Sequence, residues 1–91
     1  MLQIELFPVL SNCIETVAKM EYRETLSKLL AGDEEDEELQ QRVELLRIFL
    51  ETADFRRLRA ESEKHLAEGR KVKFVVYLEE GKSKYDMQVT P

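Results

Sequence analysis

The sequence predicts an α+β fold: an antiparallel helical hairpin followed by a C-terminal β-hairpin, with a short N-terminal stretch as a candidate third strand. Two observations carry this. Leu39, Val43, Leu46, Leu50 and Ala53 recur at steps of four, three, four and three, the period of one helix face. Val72, Phe74, Val76 and Leu78 then recur at every second position, the period of a half-buried strand.

Met1–Phe7 reads MLQIELF, in which Leu2, Ile4 and Leu6 alternate with Gln3 and Glu5. This favours a short strand over an apolar lead-in to helix one, in whose first turn Pro8 would be tolerated. Helix one is placed at residues 12–31, because Asn12 followed by Glu15 matches a capping box. Cys13, Ile14, Val17, Ala18, Met20, Tyr22, Leu26, Leu29 and Leu30 supply its apolar positions. The run ends at Gly32, and a joint this short makes the next helix an antiparallel neighbour.

The second helix is placed at residues 33–68. Asp33 is the expected cap, and the carboxylates of Glu34, Glu35, Asp36, Glu37 and Glu38 suit the positive end of the helix dipole. Leu45, Ile48 and Phe49 widen its apolar stripe. Past Ala53 that stripe lands on Arg57 and Lys64, and a rotated one begins at Phe55, Leu58, Ser62 and Leu66. Thr52 and Asp54 are each able to cap a fresh start, but no Gly or Pro forces a stop. The expectation is one continuous helix that changes its packing partner near Thr52–Asp54. Gly69 marks its end.

Residues 71–89 form the hairpin. A two-residue turn at Glu80–Gly81 sets Glu79 opposite Lys82, Val76 opposite Tyr85, Phe74 opposite Met87 and Val72 opposite Val89. A three-residue turn would oppose Val76 to Lys84 and Phe74 to Asp86, so burial of one face selects the two-residue turn or a four-residue loop of the same register.

Ninety-one residues make one domain, 1–91. The charge is uneven. Residues 1–52 hold 5 Lys/Arg and 12 Asp/Glu, and residues 53–91 hold 9 and 7, so net charges of −7 and +2 add to the chain's −5. The acidic half argues against general polyanion binding. One cysteine excludes an intramolecular disulfide, no Cys/His pattern suits zinc, and no apolar run approaches membrane-spanning length. The N-terminus lacks the features of a signal peptide, so a cytoplasmic protein is expected.

No catalytic, cofactor or metal signature is present. The run Asp33–Glu38 lacks the ligand spacing and turn glycine of a calcium loop and reads as a solvated helix cap. His65, the only histidine, has Lys64 beside it and Glu61 and Glu68 within a turn, a solvent-face setting. Cys13 lies within the apolar stripe of helix one and reads as a small buried hydrophobe rather than a nucleophile.

Two surfaces are left. The hairpin's second face carries Val75 and Tyr77, which with Phe55, Leu58 and Leu66 of the second helical stripe form a candidate protein interface. An isolated hairpin is marginal and its strand edges are open. The expected function is therefore a non-enzymatic interaction module, self-associating as a homodimer. The alternative is a weak nucleic-acid or anionic-partner binder using Arg56, Arg57, Arg59, Arg70, Lys71 and Lys73. Interleaved Glu61, Glu63 and Glu68 weigh against it, because exposed pairs such as Arg57–Glu61 and Arg59–Glu63 account for most of that charge.

Overall fold

A computed structural model describes residues 2–32 and 35–91. Its elements are β1 (Gln3–Leu6), α1 (Ile14–Ala31), α2 (Glu37–Thr52), α3 (Phe55–Ala67), β2 (Lys71–Glu79) and β3 (Lys82–Thr90). The three strands form one antiparallel sheet in the order β1-β2-β3. The N-terminal stretch is therefore a strand, with Ile4 opposite Val76 and Leu6 opposite Phe74.

The hairpin adopts the register that matches apolar side chains across the ladder: Glu79 faces Lys82, Val76 faces Tyr85, Phe74 faces Met87 and Val72 faces Val89. Glu80 and Gly81 turn the chain with φ of 54° and 77°, the positive pair that a type I′ turn requires. The sheet's inner face supplies Ile4, Leu6, Val72, Phe74 and Val76 to the core, and the helices supply Ile14, Ala18, Leu45, Leu46, Phe49 and Leu58.

The expected continuous helix over residues 33–68 is broken. Ala53 is extended (φ −73°, ψ 142°), and α3 restarts with Asp54 as its cap, the side chain accepting from the Arg57 amide at 3.2 Å. Packing explains the break. A straight helix of that length would run about 54 Å, longer than the molecule's greatest extent of 43 Å. The bend instead sets Phe55 edge-on to Phe49, ring centroids 5.3 Å apart, and turns Leu58 into the core. The rotated stripe is the face that α3 lays on the sheet. Its polar member, Ser62, is buried and satisfied by donating to the Arg59 carbonyl.

Both ends of the helical region differ from expectation. Asn12 does not cap α1: its backbone exchanges two hydrogen bonds with Val9 across a tight turn, and Cys13 is the N-cap, without a side-chain cap bond. Asp36, not Asp33, caps α2 by accepting from the Leu39 amide; Asp33 and Glu34 lie outside the described residues. Met20 and Leu30, counted as apolar positions of helix one, are exposed, while Thr25 is buried. Gly69 ends α3 as expected. At φ 82° it lets its own amide reach the Leu66 carbonyl and the Arg70 amide reach the His65 carbonyl, the paired bonds of a Schellman motif.

Candidate interaction surface

The two edges of the sheet are unlike. β1 is four residues long and is followed, after Phe7, by Pro8 and the Val9–Asn12 turn, so that edge is short and stopped. β3 is nine residues long, pairs with β2 at every position from Lys82 to Thr90, and has no described strand on its other side. Its outer backbone groups form an open edge.

Burial follows the same asymmetry. Val72, Phe74 and Val76 of the central strand are no more than 3% exposed, whereas their partners Val89, Met87 and Tyr85 on β3 remain half-buried. The helical layer thus covers the middle of the sheet and leaves the apolar row along β3 partly bare. Beside that row lies a cleft of about 470 Å³ where α2 and α3 part from the hairpin, floored by Ile48, Phe49 and Ala53. Two side-chain links cross it. Arg57 donates to the Tyr85 phenol oxygen at 2.9 Å, and the Thr52 and Ser83 hydroxyls lie 3.0 Å apart.

The five residues expected at a protein interface do not share one surface. Leu58 is buried in the chain's own core and is lost to any partner; its stripe is consumed by α3 packing on the sheet. Phe55 and Leu66 are half-buried at the core margin. Val75 and Tyr77 do lie on the outer sheet face. Val75 is only 7% exposed there because it sits between Glu5 of β1 and Asp86 of β3, beside the Lys73–Glu5 ion pair at 2.7 Å. Tyr77 is half-buried, and burial, with Asp86 and Glu79 nearby, pushes its phenol pKa up.

Sequence reasoning read Tyr85, Met87 and Val89 as the covered face of the return strand and not as a half-covered row at an edge, and it missed the exposed Phe7, Val9 and Leu10 around the first tight turn. The absence of any Pro or Gly within Lys82–Thr90 was readable. Which strand is the outermost was not.

The basic residues are spread and mostly engaged. Arg57 holds Tyr85 and lies 3.7 Å from Glu61, Arg59 binds Glu63 at 2.8 Å, and Lys73 binds Glu5. Arg70 pairs with Glu68 and donates to His65 Nδ1 at 3.2 Å, so His65 is half-buried against a guanidinium rather than standing in solvent. Arg56 and Lys71 are exposed. The expected pairs Arg57–Glu61 and Arg59–Glu63 are present.

Cys13 is half-buried rather than sunk in an apolar stripe. Its sulfur lies 3.4 Å from Thr16 Oγ1, and hydrogen bonds from Thr16 hold the thiol below its ordinary pKa. Among the described residues no group of three or more His, Cys, Asp or Glu side chains is placed to hold a metal ion, and no helix is long and apolar enough to cross a membrane.

No curated protein and no solved structure matches the chain. A family model does match, over residues 2–88, which takes in every element from β1 to nearly the end of β3. The chain belongs to that protein family, an uncharacterised one.

Proposed function

We propose that the protein is a non-catalytic interaction module that binds a second copy of itself through its C-terminal hairpin. The observation that carries this reading is the nine-residue open edge of β3 with its half-covered row Tyr85, Met87 and Val89. A long edge with no Pro or bulge is a template for another strand, and an adjoining chain would cover the apolar row that the helices leave bare. The size of the domain supports the same reading, since a chain this short buries a modest share of its surface alone. The cytoplasm is its proposed place of action, which the single free thiol supports.

Sedimentation velocity of the full chain, at concentrations up to tens of micromolar, tests the proposal. The expected result is a species of twice the chain mass that dissociates on dilution. A monomer throughout that range overturns it.

A further inference from the structure

We infer that the second copy joins edge to edge along β3, antiparallel, across a two-fold axis at Tyr85 that sets Lys84 of each copy against Asp86 of the other. This inference rests on the self-association reading above and specifies its geometry.

The hairpin turn determines which backbone groups are free. Glu79 and Lys82 close a two-residue type I′ turn and so exchange ladder bonds. In an antiparallel ladder the bonded pairs alternate. Lys82, Lys84, Asp86, Gln88 and Thr90 therefore point their N–H and C=O groups toward β2. Ser83, Tyr85, Met87 and Val89 point theirs away from the sheet.

A second β3 must meet those outward groups with its own. Outward residues then face outward residues, so the two-fold axis passes through a residue and not between two. Between successive bonded pairs lie the non-bonded ones, where side chains approach most closely. Those positions belong to Lys82, Lys84, Asp86 and Gln88, so charge selects the register.

An axis at Lys84 sets Lys82 against Asp86 twice but opposes lysine to lysine at its centre, which offsets one of those attractions. One at Asp86 opposes carboxylate to carboxylate. An axis at Met87 sets Asp86 against Gln88 and carries the ladder to Pro91, which has no N–H to give Ser83. An axis at Tyr85 sets Lys84 against Asp86 twice, once on each side, with Tyr85 meeting Tyr85 and Ser83 meeting Met87 on the inner face. Opposite charges directly across a strand pair stabilise it and like charges destabilise it. The Tyr85 register alone sets opposite charges together without a like-charge pair. The product is a continuous six-stranded sheet with both helical layers on one side.

A charge swap tests the register. Asp86→Lys and Lys84→Asp each oppose like charges in both copies, and each should weaken the dimer roughly tenfold or more. The double variant Lys84→Asp with Asp86→Lys restores opposite charges with their signs exchanged, and should return the dissociation constant to within about threefold of the parent. Met87→Pro removes an outward N–H without touching the ladder to β2, and should abolish the dimer while circular dichroism shows a folded monomer.

The outcomes separate the two claims. A parent chain that is monomeric sinks self-association itself. A dimer that ignores both single swaps, or that the double swap fails to restore, overturns the Tyr85 register and leaves self-association standing. A dimer that survives Met87→Pro but is lost in Tyr77→Lys places the contact on the outer face instead and overturns the edge.

Discussion

The Arg57 guanidinium donates to the Tyr85 phenol oxygen at 2.9 Å, joining the first turn of α3 to the middle of β3. The bond spans the point where α2 and α3 part, and the Thr52–Ser83 contact lies on the other side of it. The helix break is thus tied to the hairpin through one residue from each helix. Tyr85→Phe keeps the ring against Phe74, whose centroid lies 5.6 Å away, and deletes only the acceptor. Hydrogen exchange of the Phe55–Leu58 amides should quicken in that variant while the amides of α1 keep their rate. Equal exchange at the break in both proteins would mean that the bond does not hold it.

Asp54 gives the break a second test. Its carboxylate satisfies the Arg57 amide at the start of α3, and an N-cap changed to alanine costs about 1 kcal/mol. Asp54→Ala should lower the unfolding free energy by that amount, read as a lower denaturant midpoint with little change in slope. A variant as stable as the parent would show that the tertiary contacts of Phe55 and Leu58, and not the cap, start the helix.

The hairpin turn offers a gain rather than a loss. Glu80 is the one non-glycine residue among the described ones with positive φ, at 54°. A side chain there crowds the backbone, and asparagine tolerates the conformation better than glutamate. Glu80→Asn, which makes the preferred Asn-Gly pair for a type I′ turn, should stabilise the fold by about 0.5–1 kcal/mol in chemical denaturation. A loss of stability would mean that the Glu80 side chain makes a compensating contact of its own.

What the sequence disclosed, and what it withheld, follows the range of the interactions. The hairpin register was legible to the residue because turn length and the alternation of Val72, Phe74 and Val76 are local, and each excludes the competing alignment. The bend at Ala53–Asp54 was half-legible. The rotated stripe announced it, but Thr52-Ala53-Asp54 contains no obligate breaker, and the force that bends the chain is Phe55 meeting Phe49 and the sheet receiving Leu58. The start of α1 was misplaced because Asn12 spends its backbone on Val9, a turn that no side-chain pattern marks. Leu58 was assigned to a free surface, and Tyr85, Met87 and Val89 to a fully covered face, for one reason. Strand order decides which apolar row lies at an edge, and strand order is a long-range property.

The Cys13 thiol supplies a pH-dependent prediction. The Thr16 hydroxyl, 3.4 Å from the sulfur, leads in favouring the thiolate, the nearby Thr16 and Glu15 amides and the Arg59 charge assist, and burial opposes them. The folded pKa therefore lies below the unfolded one. Well below the folded value the thiol is protonated in both states and contributes nothing. As pH climbs from the folded value to the unfolded one, the native state holds the thiolate before the unfolded chain does, and stability rises; the gain is lost again as pH falls back through the folded value. The thiol is only half-buried, so the effect on stability is small, and reactivity is the better readout. Iodoacetamide at mildly alkaline pH should alkylate Cys13 faster in the native protein than in denaturant. Thr16→Val, which keeps the amide and removes the hydroxyl, should move the midpoint of the rate–pH curve upward. A native rate–pH curve whose midpoint coincides with that of the denatured chain would show that Thr16 does not stabilise the thiolate.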